Sequence, residues 1–284
     1  MKKILAVLLA LVLVIGLFAG CSADNQKTEE IDYNLDDAFS AVSFSALDIS
    51  DDDINYIKEK GTLVVGITDF EPMDYKDANG NWIGFDADMA KAFAKWLGVK
   101  VQFVEIDWDN KIFELDGKSI DCVWNGMTLT DEVKAAMATS NAYCNNAQVV
   151  IVSADKADQY NTVEACKELV FAVEAGSAGA EIAAENGFNV TEVKDQATTL
   201  MEVSAGTCDA AIIDKLMAAA MVGEGTSYAK LTYTVDLNSE EYGVGFRKDS
   251  KMADALNEFL KQANANGLTQ VIAEQYGVQA AIIK

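Results

Sequence analysis

Two kinds of hydrophobic spacing alternate along most of the chain. From Ile54 onward, short β-branched or alternating runs take turns with stretches whose apolar residues recur every three or four positions. "TLVVGI" (62–67), "VKVQFVEI" (99–106) and "SIDCVWNG" (119–126) predict strands. "DADMAKAFAKWLG" (86–98) aligns Met89, Phe93 and Leu97 on one side, opens on aspartates and closes on Gly98, which predicts an amphipathic helix. A second round follows. "AQVVIVS" (147–153), "ELVFAVEAG" (168–176), "NVTEV" (189–193) and "CDAAIID" (208–214) predict strands, with helices over 177–187 and 197–206 between them. A last long helix is predicted over 250–267, where Met252, Leu256, Phe259 and Ala263 form one stripe. Strands separated by single helices predict an α/β fold of open, mostly parallel sheets flanked by helices, and two rounds predict two lobes. Ligands of such sheets sit beyond the carboxyl ends of the strands, so two facing ends would form a cleft.

The first 53 residues follow neither rhythm. Lys2 and Lys3 precede an apolar run from Ile4 to Gly20, the layout of an export signal. Leu17-Phe18-Ala19-Gly20-Cys21 resembles the bacterial lipobox, in which a cysteine is acylated and becomes the new N-terminus. Residues 1–20 are therefore expected to be a lipoprotein signal peptide and Cys21 a lipid anchor, the alternative being an ordinary signal peptide with an incidental cysteine. Residues 21–53 are acidic and lack sustained periodicity, which predicts a flexible spacer.

Charge and composition narrow the chemistry. Half of the 284 residues are hydrophobic, enough for one large domain or two ordinary ones, and the formal net charge is −23. Such a surface repels nucleic acid and anionic lipid, so neither is an expected partner. There is no histidine, which removes the commonest general base, the commonest metal ligand and any Ser-His-Asp arrangement. Cys122, Cys144, Cys166 and Cys208 contain no C-x-x-C pair, so no metal site and no cofactor are expected. An exported chain permits disulfides among these four. Cys122 and Cys208 fall in apolar runs, however, where a buried thiol is the expected state.

With these pieces in place, the chain resembles bacterial extracellular solute-binding proteins of family 3, which serve polar amino-acid ABC importers. The resemblance runs from about Lys60 to Tyr276. It rests on "GFDADMAKA" followed by "GMTLT", and on "VFAVEAGSAGAE", "DAAIID" and "SEEYGVGFRKDS". It implies a two-lobed, type II periplasmic-binding-protein fold joined by two hinge strands, crossing near Gln148–Ser153 and Glu241–Phe246. Lobe 1 would comprise residues 54–150 and 243–284, and lobe 2 residues 151–242. It also implies a monomer on the outer face of a Gram-positive-type cell membrane, working with ABC permease and ATPase subunits and no enzyme.

The same resemblance implies a site. Asp214, closing "DAAIID", matches the aspartate that takes the ligand ammonium, and Phe70 and Trp108 match aromatic positions that sandwich the ligand. Asn125, Gly126 and Thr128 match polar positions after a lobe 1 strand, and Gly176 and Ser177 a glycine turn at a helix start. Ala178 stands where a threonine is often found, Glu174 stands near the same mouth, and Asp69 lies one residue short of the usual spacing. Each has a plainer alternative: Asp214 as a helix cap, Phe70 and Trp108 as core, Asp86 and Asp88 as acids charging a helix start. One departure stands out. The arginine that usually grips the α-carboxylate is replaced by Val133, Lys134 is turned about 100° away on a helix, and the resemblance does not put Arg247 in the cleft. A pocket with acids, aromatics and no arginine suits an amine-bearing ligand. The alternatives are a sensing module acting through a separate membrane protein and, on the same architecture, a cyclohexadienyl-dehydratase-like enzyme, whose carboxylate substrate would want the missing arginine.

Overall fold

A computed structural model describes residues 33–283. The expected signal peptide, Cys21 and the start of the expected spacer lie outside the described residues. The first sheet contains strands β1 (Thr62–Ile67), β4 (Lys100–Glu105), β5 (Cys122–Thr128), β6 (Ala138–Thr139), β7 (Cys144–Asn146) and β13 (Glu240–Phe246). A separate two-stranded ribbon joins β2 (Tyr75–Lys76) and β3 (Trp82–Ile83). The second sheet contains β8 (Gln148–Ser153), β9 (Val170–Glu174), β10 (Asn189–Val193), β11 (Ala210–Asp214) and β12 (Leu231–Asp236).

Each sheet is mixed. In the first, β1 pairs in parallel with β4 and β5, and β13 returns antiparallel on β5. In the second, β9 is parallel to β10 and β11, while β8 runs antiparallel between β11 and β12. The α/β architecture with two lobes is as the hydrophobic rhythm predicts. Helix Phe85–Leu97 shows why: its Met89, Phe93 and Leu97 face the core, and Gly98 ends it in a left-handed turn.

The chain changes sheets twice, a few residues away from the expected places. Ala147 separates β7 from β8, so Gln148 to Val150 belong to the second sheet. Residues 237–239 separate β12 from β13, so Glu240 to Tyr242 belong to the first. The two crossings lie side by side: Leu237 N donates to Gln148 O at 2.8 Å, and Gln148 N donates to Asn238 Oδ1 at 2.6 Å.

Residues 33–53, which their composition assigns to a flexible spacer, pack against the body instead. Asn34 caps a helix over Leu35–Ser40, and residues 41–49 then run along the body. Phe39 stacks on Phe44 at 5.1 Å, and Phe44 on Phe259 at 5.4 Å. Trp96 Nε1 donates to Ser45 O at 2.9 Å. A second helix, Asp52–Lys60, buries Ile54 and Ile57. Apolar residues set among many acids supply this packing, and net acidity hid them. Among the described residues, no helix is long and apolar enough to cross a membrane. Cys122, Cys144, Cys166 and Cys208 are free and buried.

Asp86 and Asp88 do not merely charge their helix start, whose N-cap residue is Gly84. Asp86 accepts from Gly126 N and from Tyr143 Oη, both at 2.7 Å, and Asp88 accepts from Lys91, Tyr33 and Tyr276. Asp74 is fully buried nearby, and neither of its carboxylate oxygens has a hydrogen-bond partner. Burial, with Asp86 second, pushes the Asp74 carboxyl well above its ordinary range. Burial likewise lifts Asp86 from 3.8 to about 7, against the bonds from Tyr143 and Gly126.

Two measurements test this account. Removing the Phe44 ring (Phe44→Ala) should cost about 2 kcal/mol in urea unfolding, whereas a free spacer would give no change. Because the folded state binds protons at Asp74 and Asp86 that the unfolded chain has released, stability is highest at acid pH and falls as pH rises toward about 7. The melting temperature should therefore drop on the order of 5 °C between about pH 5 and about pH 8. Asp74→Asn should flatten that profile and raise the value at the alkaline end.

Candidate functional site

The carboxyl ends of β5, β9 and β11 converge on one cavity. Trp108, Asn125, Gly126, Thr128, Glu174, Gly176, Ser177, Ala178 and Asp214 all line it, so the structure brings together nine of the eleven predicted ligand contacts. The space between them is about 30 Å³, room for one or two waters.

Asp214 is buried at the end of β11. It precedes helix Lys215–Met221 but its side chain makes no cap bond, so the helix-cap alternative fails. Its Oδ1 accepts from Asn146 Nδ2 and Tyr242 Oη, and its Oδ2 from Gln196 Nε2. Burial lifts it from 3.8 to about 7, with Glu240 adding repulsion and the donors opposing. Glu240, at the start of β13, accepts from Thr128 Oγ1 at 3.0 Å, Asn146 Nδ2 at 2.6 Å, Gln148 Nε2 at 2.9 Å and Asn238 Nδ2 at 2.8 Å. One amide, Asn146, thus serves both buried acids.

Glu174 ends β9 and is 2 % exposed. Its Oε1 has no hydrogen-bond partner, and burial, followed by the nearby Asp214, holds its carboxyl well above the ordinary range. An orphaned carboxylate oxygen on a cavity wall is an acceptor waiting for a cationic donor.

Two expectations change. Phe70 is a core residue, 2 % exposed: its ring meets Tyr242 edge-on at 6.3 Å and lies under Gly126, so it is not on the cavity wall. Asp69 is exposed, outside the cavity lining, with Asp195 and Glu105 as its acidic neighbours. Of the two predicted aromatic faces, only Trp108 lines the cavity. Val133 does lie on the wall, buried and apolar. Arg247 is held elsewhere by Asp53, Asp121 and Ile120 O.

Sequence reasoning missed Lys111. It follows Trp108 by three residues and opens helix Lys111–Asp116, a spacing that puts both on one face. Lys111 lines the cavity at 8 % exposed. Its Nζ donates to Gly176 O at 2.9 Å and Trp108 O at 3.3 Å and sits 5.0 Å above the Trp108 ring. Burial lowers its pKa, with Glu132 the largest opposing influence. Gln196, Asn146, Gln148, Tyr242 and Glu240 were also missed. All but Tyr242, which lies within β13, are polar residues at element ends, a pattern that carries no signal of burial.

Gly176 marks a close approach across the cavity. Its φ is +66°, and a Cβ there would stand 2.7 Å from Asp109 Oδ1 and 2.9 Å from Asp109 Cα. Gly176→Ala should destabilise the protein by about 2 kcal/mol in urea unfolding. Gly187→Ala, at a similar φ of +69° but in open space, should cost about 1 kcal/mol. Equal effects would deny the cross-cavity contact.

The model of "Bacterial extracellular solute-binding proteins, family 3" matches residues 63–279. The Arginine-binding extracellular protein ArtP of Bacillus subtilis (strain 168) is 29% identical over 224 residues, 76% of this chain and 86% of ArtP. The L-cystine-binding protein TcyJ of Escherichia coli (strain K12) is 27% identical over 227 residues, 78% of this chain and 85% of TcyJ. A solved structure of a mutant ArgBP from T. maritima superposes with a TM-score of 0.74 at 33% identity, covering 79% of this chain and 99% of that one.

Proposed function

Because the chain belongs to the bacterial extracellular solute-binding proteins, family 3, we propose that it captures an amino acid or related amine-bearing solute between its two sheets and delivers it to an ABC importer. In this reading Cys21 carries the lipid that keeps the receptor at the outer face of the membrane, next to its permease and ATPase subunits, and the receptor works as a monomer.

The observation that carries the ligand class is Glu174. Its buried, unpartnered oxygen lies on the same wall as Asp214, whose own oxygens are met by neutral donors. Two carboxyl groups lifted by burial gain most from a ligand that brings positive charge, since a cation draws both back toward ionisation. Trp108 adds an aromatic face that favours ammonium or guanidinium groups. The names of ArtP and TcyJ point to amino acids as the solute class.

Isothermal titration against amino acids, simple amines, quaternary ammonium compounds and dicarboxylates tests the reading. An amine-bearing solute should bind, and its affinity should fall below about pH 7 as Asp214 takes up its proton. Tight binding of a dicarboxylate with no response to any cation would overturn it.

A further inference from the structure

Val133 leaves the usual carboxylate grip apolar, yet the cavity is not without a cation. Lys111 is the single basic residue among those lining it. A buried ammonium is costly unless it meets an anion. Among the described residues, none of the ion pairs involves Lys111, although Glu132, Glu174, Asp109 and Glu181 all act on it from a distance. Its two bonds go to neutral carbonyls, and an ammonium has three donors. One N–H therefore remains for a further acceptor on the cavity side.

The position of that donor is informative. Through Gly176 O, Lys111 reaches the turn that opens helix Ala178–Asn186, where backbone N–H groups and the helix dipole also favour negative charge. The acids that want a cation lie on the strand ends, Glu174 on β9 and Asp214 on β11. The cavity thus has a cationic element beside the helix start, where Glu181 and Glu132 also line the wall, and two buried acids at the strand ends. We infer that Lys111 replaces the missing arginine as the carboxylate anchor, so that the ligand is a zwitterionic α-amino acid, its carboxylate at Lys111 and its ammonium at Glu174 and Asp214. This rests on the proposed function and deepens it: a plain amine would leave Lys111 unpaired. A lysine provides a point charge rather than a two-pronged grip, so the carboxylate is held with less directional demand than an arginine imposes.

The test uses ligand pairs that differ only in the carboxylate: L-arginine with agmatine, and L-histidine with histamine. Both pairs are titrated calorimetrically into the protein and into Lys111→Met and Lys111→Arg, with unliganded melting curves to confirm that each variant is folded. Wild-type protein should favour the amino acid of a pair, and Lys111→Met should cut that preference by about tenfold to hundredfold while Lys111→Arg keeps most of it. Equal loss on both members of a pair means that Lys111 only fastens Gly176, which overturns the inference but leaves the proposed function standing. So does an amine that binds wild-type protein as tightly as its amino acid. If wild-type protein binds no amino acid and no amine in the wider panel, the proposed function fails and the inference with it.

Discussion

Two acids buried without a cation between them govern the middle of this molecule. Asp214 belongs to one sheet and Glu240 to the other, and Asn146 donates to both. A carboxylate taken out of water must be met by donors or give up its charge. Here Gln148, Gln196, Tyr242, Thr128 and Asn238 supply them, drawn from β8, a helix start, β13, β5 and a crossing segment. Satisfying those lone pairs fixes how the crossing segments lie beside each other. The crossing segments in turn set where the strand ends of each sheet face the cavity. The site is therefore a consequence of the network at its base.

That dependence also explains the electrostatics of the cavity. Neutral amides and hydroxyls can hold a carboxylate but cannot cancel its charge, so Asp214 stays lifted, as does Glu174, which has one oxygen unmet. Lys111 faces the same space from the other sheet's lobe but gives two of its three donors to carbonyls rather than to these acids. Among the described residues, no ion pair joins Lys111 to an acid. A site built this way holds unspent attraction of both signs, and a ligand with charge at each end recovers both.

Much of the fold was legible because its strands and helices bury one face each. The "TLVVGI" strand runs over the predicted residues, and helices 178–186 and 252–266 end at glycines where the pattern stops. The cavity positions of Asp214, of Trp108 and of Asn125, Gly126 and Thr128 at the end of β5 were legible through family resemblance, which carries position and chemistry together. Phe70 was misplaced because an aromatic beside a cavity and an aromatic beneath its floor leave the same mark in sequence: here the ring supports Gly126 from below. Residues 33–49 were misread since their acidity outweighs a few spaced apolar side chains, whose partners, such as Phe259, lie over two hundred positions away. Lys111 was silent for another reason. A lysine at a helix start reads as solvated surface, yet this one is buried against Trp108 and against Gly176 of the other lobe.

The volume of the cavity then bears on how a ligand reaches it. About 30 Å³ accommodates water but no amino acid, so a solute enters only if the facing walls separate. The contacts that would have to part are few and weak. Lys194 meets Glu105 across the rim at 2.9 Å, but both side chains are largely solvated, and such pairs contribute about 1 kcal/mol or less. Lys111 to Gly176 O is a single bond from a buried ammonium to a neutral carbonyl. The carboxylate network at the crossings is a different matter: it is buried, densely donated and spread over five elements, so breaking it would strand two acids. Separation that spares the strong set and yields at the weak set is rotation about the crossings. The position of the buried acids thus makes the cleft the part of the molecule that moves at least cost.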